Sequence, residues 1–595
     1  MTSESRESRY AAPMLHPKRL AYRVLAALAA IFFLSVPAHA LDLPEGESGL
    51  AQKPLVTAKK HMIVAAHPLA SEAGLEMLRK GGAAIDAGIA TQMVLTLVEP
   101  QSSGIGGGAF ILYWDAAQET LTSYDGRETA PASATPELFL DAAGQPLPRP
   151  VAMHSGRSVG VPGALAVLKL VHDEYGKLPW AELFQPAMKL ARDGFPVSAR
   201  LSKLLGEADI NTFDAAARAY FFDANGKPHP PGTILKNEAL AQTLETIANE
   251  GINAFYKGPI AADIAKTVQS DQRGAGTLSE SDFQAYRPKK REPVCVPYRG
   301  SSVCGMGPPS SGAVAVGQTL RLIKPFDLGT KPMGVQATHA ILEAQRLAFA
   351  DRARYLADPD FVDVPLAGLL DKNYLAERRT LIDPERAAQT VTHGTPPNIS
   401  SNFGRDATEE KGGTSHVSVV DDSGDAFSMT TSIETAFGAR SMVRGFLLNN
   451  QLTDFSFLPK DEDGMEIANR VEPGKRPRSS MDPTMIFGPD GGLDYVLGSP
   501  GGPAIIIFNL KAIIAMMDWG LDPAEAAALI NFGGSPWGVL LETGTEWNEL
   551  ASALTDKGHP VKRIPMTSGL HIIAVTPGGL EGGADPRRDG VALGD

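Results

Sequence analysis

Two short apolar runs joined by an acidic turn constrain this chain most: "GGTSHVSVV" (412–420), "DDSGD" (421–425) and "AFSMTTS" (426–432). Val417, Val419 and Val420 supply apolar positions, and Gly424 among aspartates supplies a reversal, so the stretch predicts a β-hairpin. Two glycines, a threonine and a serine make a permissive, polar entry to the first strand. Around this hairpin the chain reads in blocks. Residues 62–100 predict strand, helix, a turn at Gly81-Gly82, and helix; "AFILYWD" (109–115) and "LTSYDGR" (121–127) predict a second hairpin; 160–270 and 334–358 are helical in pattern. Downstream of 414, strands dominate ("PTMIFG", "LDYVLGS"), followed by a helix over roughly 503–518 and a closing strand "GLHIIAVTP". No repeat of fixed period occurs. The polar, Gly/Pro-rich stretch 385–413 is the one candidate seam between domains, and a stretch of that length without its own pattern is either functional or a tail.

A chain of 595 residues has the length for several domains or for one large sandwich. A formal charge of −13 argues against a nucleic-acid partner, which would favour a basic surface, and the one basic knot, "KRPRSS" (475–480), is too short to overturn that. At the N-terminus, Lys18, Arg19 and Arg23 precede "VLAALAAIFFLSV" (24–36) and the small-residue triplet Ala38-His39-Ala40. That order predicts a secretory signal peptide over 1–40, a mature chain from Leu41, and a periplasmic or secreted location without a membrane span; Met14 is an alternative start. Cys295 and Cys304, the two cysteines, lie on runs flanking Arg299-Gly300-Ser301-Ser302, a hairpin geometry that an oxidising compartment would allow to close as a disulfide. Two cysteines without a nearby histidine make a poor metal site, and none is expected.

Two motif matches fail on context. "GIGGGA" (104–109) fits a dinucleotide fingerprint, but that site needs a strand before it and a helix after, and here the order is reversed. It is read as a tight turn, with the option that its glycines let backbone approach a ligand. "GRSVG" (156–160) fits a nucleophile elbow, but the segment before Ser158 carries Pro148 and Pro150 and makes a poor strand. His571, a candidate partner for it, falls within a strand pattern.

Several sparse signals in the C-terminal third agree on one chemistry. "GSPGG" (498–502) lies between an apolar strand and a helix, so the backbone N–H groups of Gly501 and Gly502 are placed to converge on one oxygen. Ser479 and Ser480 offer paired hydroxyls, Gln451 a carboxamide, Asp454 a carboxylate and Arg127 a bidentate cation. That set suits an amino-acid head group, the acid holding its ammonium and the donors its carboxylate. No histidine, cysteine or metal set accompanies them as nucleophile and base. One residue supplies both roles if the Gly413–Thr414 bond is cut: the Thr414 hydroxyl attacks, and its new α-amino group, with a pKa near 7.7–8, takes the proton.

These motifs together resemble the γ-glutamyltranspeptidase family of N-terminal-nucleophile hydrolases. The match runs from about His61 to the end through "EPQSSGIGGG" (99–108), "DGRETAP" (125–131), "GVPG" (160–163), "PPSSGA" (308–313), "GGTSHVSVVD" (412–421), "FLLNNQLTDFS" (446–456), "KRPRSSMDPT" (475–484), "GSPGG" (498–502) and "GADPRRDG" (583–590). The resemblance implies an α/β (α+β) fold, the four-layer αββα sandwich, in a secreted proenzyme that cuts itself into a large subunit (41–413) and a small catalytic subunit (414–595), which stay together as a heterodimer. It implies no cofactor. Thr414 resembles the nucleophile, Ser432 a second hydroxyl bonded to it, and Gly501 and Gly502 the oxyanion hole. Arg127, Glu434, Gln451, Asp454, Ser479 and Ser480 fall on positions that bind the γ-glutamyl α-carboxylate and α-amino groups. The segment 455–478 lacks the tyrosine that some members carry in a lid loop.

Three functions follow for test: a γ-glutamyltransferase and glutathione hydrolase passing the acyl group to water, amino acids or dipeptides; a glutaryl- or cephalosporin-type acylase on the same fold; and an unprocessed amino-acid-binding protein. Glu434 and Asp454, two carboxylates suited to an ammonium, favour the first over the second.

Overall fold

A computed structural model of the chain describes residues 2, 51–399, 402–408, 412–535 and 538–595. The expected signal peptide, 1–40, lies outside the described residues apart from residue 2. Among the described residues no helix is long and apolar enough to cross a membrane, and no group of three or more His, Cys, Asp or Glu is placed to hold a metal ion.

Two seven-stranded antiparallel sheets form the centre. The first runs Val591–Gly594, Met62–Ala65, Gly413–Val420, Ala426–Glu434, Gly108–Asp115, Thr120–Gly126 and Lys289–Arg291. The second runs Val56–Ala58, Gly579–Ala584, His571–Thr576, Leu493–Gly498, Thr484–Phe487, Ser301–Gly305 and Val294–Tyr298.

Strand alternation sorts side chains into layers. Ile63, Ile111, Val417, Val419 and Met429 point outward and pack with the helices Pro68–Arg79, Ala84–Val98 and Ala164–Tyr175. Their neighbours Met62, Val64, Leu112, Trp114 and Val420 point inward, against Met485, Phe487, Val496 and Ile573 of the second sheet. The outer face of that sheet, with Val296, Ile486, Leu497 and Ile572, packs on the helices Gly312–Ile323, Val335–Tyr355 and Ala504–Met517. The result is helix, sheet, sheet, helix: the αββα sandwich. Ala84–Val98 and Ala504–Met516 are buried on every side, which is why neither shows an amphipathic stripe.

Both predicted hairpins form, and Cys295 and Cys304 sit opposite each other in the edge hairpin and are bonded. Two expectations change. Residues 385–413 are no domain boundary: the described residues from 51 to 595 form one compact unit, because each sheet draws strands from both sides of that stretch. "GLHIIAVTP" does not close the chain either. Gly579–Ala584 and Val591–Gly594 follow it, glycine-rich strands whose short apolar content hid their alternation. A three-stranded sheet, Phe532–Ser535, Gly538–Glu542 and Val561–Ile564, was also not legible.

Candidate active site

The first sheet's central hairpin carries the site. Thr414 stands opposite Ser432 and Gly413 opposite Glu434, with a register shift between the two pairs that leaves Ile433 extra. Glu434 itself has φ +82°, the left-handed region that a non-glycine residue adopts only under local constraint. The irregularity gathers hydroxyls: the Thr414 hydroxyl lies 3.5 Å from Ser432 Oγ, the Ser432 hydroxyl donates to the Gly413 carbonyl at 2.6 Å, and Ser432 Oγ accepts from the Glu434 N–H at 2.8 Å. One donor proton and two accepted bonds use the whole capacity of a serine hydroxyl, so its orientation is fixed.

The glycine triplet 106–108 explains how the strand end is held. A Cβ on Gly107 would lie 2.0 Å from the Ser432 carbonyl oxygen, and one on Gly106 2.1 Å from that of Leu447. The close approach expected of these glycines is therefore to neighbouring backbone, not to a ligand. Ser158 of the "GRSVG" match is buried and donates to the Met153 and Ser155 carbonyls, so it is no nucleophile.

Below Thr414 the gap between the sheets turns from aliphatic to polar. His416 shares hydrogen bonds with Thr430 (2.9 Å) and Ser418 (3.1 Å), the Ser418 hydroxyl donates to the His571 carbonyl, and His571 Nδ1 meets the His416 carbonyl at 2.8 Å. Burial, then the facing His571, pushes His416 well below the usual histidine range; burial pushes His571 down to about 3. Both are neutral ties between sheets. A Cβ on Gly498 would lie 2.2 Å from His416 Cε1, so the first glycine of "GSPGG" makes room for this imidazole.

A recess opens beside the hairpin, lined by Arg127, Thr414, Ser432, Glu434, Gln451, Asp454, Ser479, Ser480, Met481, Gly502 and Ile505. Gly501 and Gly502 have φ +142° and +56° in the turn ahead of the helix Ala504–Met517, and Gly412 packs directly on them: its Cβ would lie 2.8 Å from both Gly501 C and Gly502 N. The expected nucleophile, the second hydroxyl and all six expected head-group residues thus meet at one place with Gly502, while Ser158 and His571 lie elsewhere.

Arg127 is fully buried and spends its fork on Asp454 Oδ2 (2.5 Å) and on the carbonyls of Arg478 (2.9 Å) and Pro477 (3.1 Å). Gln451 Nε2 donates to the same Asp454 oxygen at 2.7 Å, leaving Gln451 Oε1 without a partner among the described residues. Glu434 is buried with neither carboxylate oxygen hydrogen-bonded among the described residues; burial, then the neighbouring Asp454, pushes its carboxyl well above the usual range, while Arg149 opposes. Glu128, next to Arg127, is pushed up by burial to about 8.

Sequence reasoning gave "PPSSGA" no task. Its hydroxyls clamp the serine pair: Ser310 donates to the Met481 carbonyl at 2.6 Å and Ser311 to that of Ser479 at 2.7 Å. Two arginines were missed. Arg352 bonds Ser311 Oγ (2.8 Å) and Ser480 Oγ (2.7 Å), and Arg588, in the quoted "GADPRRDG", reaches the Thr414 carbonyl at 3.4 Å. Arg352 is one of several charges on a long helix, and nothing local in the sequence distinguishes it.

The family model for gamma-glutamyltranspeptidase matches residues 70–595. A glutathione hydrolase proenzyme of Bacillus subtilis is 36% identical over 573 residues, covering 94% of this chain and 96% of that protein. An Acylase ACY 1 proenzyme of a Pseudomonas species is 34% identical over 563 residues, covering 93% and 97%. Among solved structures, a cephalosporin acylase from Bacillus halodurans superposes with a TM-score of 0.81 at 29% identity, covering 93% of this chain and 99% of that one. By the extent of the family match and of these identities, the chain belongs to the γ-glutamyltranspeptidase family.

Proposed function

We propose that this chain is an exported, self-processing proenzyme that cleaves γ-glutamyl amides such as glutathione and passes the γ-glutamyl group to water or to an amino acid or dipeptide. The carrying observation is the Ser432 hydroxyl on the Gly413 carbonyl at 2.6 Å, with the Thr414 hydroxyl 3.5 Å from that same serine. This arrangement suits an N-to-O acyl shift. Thr414 Oγ attacks the Gly413 carbonyl carbon, Ser432 stabilises the oxygen as it gains charge, and the C–N bond breaks with the proton passing to the departing nitrogen. Water then hydrolyses the ester, giving a Gly413 carboxylate, a free Thr414 α-amino group and two subunits, 41–413 and 414–595, that remain paired.

The freed amine then works as the base for its own hydroxyl. Thr414 Oγ attacks the γ-carbonyl of a bound donor, the Gly501 and Gly502 N–H groups receive the oxyanion once Gly412 has withdrawn, and the leaving amine takes the proton. The resulting γ-glutamyl ester on Thr414 is resolved by water or an acceptor amine. Ser479, Ser480 and Arg127 hold the α-carboxylate, and Glu434, Asp454 and Gln451 hold the α-ammonium.

The processing gel and the donor assay test this together. The purified chain should run as two fragments, the smaller beginning at Thr414, and should hydrolyse a γ-glutamyl anilide; Thr414→Ala should stay one inactive chain. A single uncut band in both would refute it. The acylase-named relatives motivate a second reading with desamino acyl groups as substrates. The acidic pair Glu434 and Asp454 weighs against it, and a glutaryl anilide compared with a γ-glutamyl anilide decides.

A further inference from the structure

Arg149 opens the short helix Arg149–Met153, outside every motif quoted above. Its guanidinium lies over the Phe457 ring, 5.5 Å from the centroid, and Phe457 in turn stacks on Phe139 at 4.5 Å. Its Nη2 stands 3.9 Å from Glu434 Oε1, and its side chain is 14% exposed. Nε and Nη2 are buried without a hydrogen-bond partner among the described residues, as are both Glu434 oxygens. An aromatic stack therefore positions this cation, and its charge is directed at one carboxylate. The recess then holds two acids, each with its own arginine: Asp454 with Arg127 at 2.5 Å, and Glu434 with Arg149.

Two carboxylates side by side in a buried site do not both stay ionised unless cations compensate them. Glu434 is faced by Asp454, Arg127 and Arg149, and of the two cations Arg127 already pairs with Asp454 at 2.5 Å. Burial and Asp454 hold the Glu434 carboxyl well above its usual range in the empty site, and Arg149 opposes them, so that Glu434 ionises when an ammonium arrives between the two acids. Without Arg149, less charge offsets burial and Asp454, Glu434 holds its proton more firmly, and the site loses much of its reason to prefer an α-amino group over none.

Resting on the γ-glutamyl reading above, we propose that Arg149 is a specificity-determining positioning residue, whose charge beside Glu434 lets that acid give up its proton to meet an α-ammonium and so makes the site select acyl donors bearing an α-ammonium over desamino acyl groups. Arg149→Gln and Arg149→Lys would be compared with the unaltered enzyme on γ-glutamyl and glutaryl anilides, with kcat and KM separated, from pH 6 to 8.5. For Arg149→Gln at pH 7 the expected result is a roughly tenfold higher KM for the γ-glutamyl donor, with the glutaryl KM changed less than twofold. That γ-glutamyl KM should fall as pH rises and Glu434 gives up its proton, and Arg149→Lys should recover most of the loss. Equal changes for both donors, or no change beyond twofold for either, would overturn the proposal. The gel for cleavage at Thr414 reports that each variant folds. If the unaltered enzyme is processed but ignores the γ-glutamyl anilide, the functional reading fails; if it turns that donor over and the ratio does not move, only the role of Arg149 fails.

Discussion

Replacing Gly412 by alanine should separate cutting from turnover. The new Cβ would meet Gly501 C and Gly502 N at 2.8 Å and Gly501 O at 3.2 Å, all backbone atoms of the turn that precedes a buried helix. Neither strand nor turn can rotate a side chain out of the way, so residues 412–413 must withdraw by about 0.6 Å to reach an ordinary contact of about 3.4 Å. The same movement stretches the 2.6 Å bond from Ser432 to the Gly413 carbonyl towards about 3.2 Å, beyond the useful range for an O–H···O bond. Losing a donor from an oxygen that develops charge costs about 3–4 kcal/mol, so self-cleavage should slow by about 10²–10³-fold. A gel time course on freshly purified chain measures it. Once the bond is cut, residue 412 is free to leave the glycine turn, so kcat per cleaved molecule should match that of the unaltered enzyme. A cleavage half-time within threefold of normal would refute the steric reasoning. A proportionate loss of kcat would show that the turn itself had been damaged.

Ser432→Ala removes the same donor without steric pressure and should slow cleavage by a similar factor, while Ser432→Thr retains a hydroxyl and should cleave within a fewfold of normal; the same gel reads both. Arg352→Leu strips charged hydrogen bonds from Ser311 and Ser480, worth about 1.5–3 kcal/mol. The donor KM should rise by roughly ten- to a hundredfold while cleavage at Thr414 proceeds, as steady-state kinetics on processed enzyme would show. Asp585 is buried against Arg587, and although burial acts to raise its pKa, Arg587, Lys511 and hydrogen bonds from Ser568 and the Arg587 N–H hold it down to about 2. A carboxyl depressed on folding adds stability that is fully present above pH ~4 and is lost as pH falls through 2. Asp585→Asn should therefore cost about 2 kcal/mol or more in denaturant melts at pH 7, with a smaller penalty at pH 2–3.

The parts of the site legible in the sequence are those whose chemistry fits together. Arg127, Asp454, Ser479 and Ser480 each lie in a polar stretch that a solvated loop would also explain, and it is their joint fit to one charged head group that sets them apart, while a glycine pair between strand and helix has few structural uses. Ser432 and Glu434 look like ordinary members of a strand, and only the family resemblance singled them out; their convergence depends on a one-residue register shift that no periodicity announces. Arg149 and Arg352 were invisible because a charged residue on a helix usually faces water, and their targets lie 285 and 128 residues away in sequence (434 − 149; 480 − 352). The sandwich followed from the resemblance. The hairpins were readable from alternation, but the order of strands across each sheet was not, since neighbours such as Met62–Ala65 and Gly413–Val420 are joined by contacts some 350 residues apart.

That ordering bears on how long such an enzyme lasts. Both sheets interleave strands from before and after residue 413, without strict alternation, so the uncut chain can fold as one molecule, with every strand tethered to its neighbours at high effective concentration. Cutting the bond before Thr414 removes the tether but none of the pairing. For an enzyme cut as proposed, loss of structure would release two pieces whose return is second order, dilute and exposed to aggregation, so its lifetime would be set by the height of its unfolding barrier and no longer by an equilibrium between folded and unfolded forms.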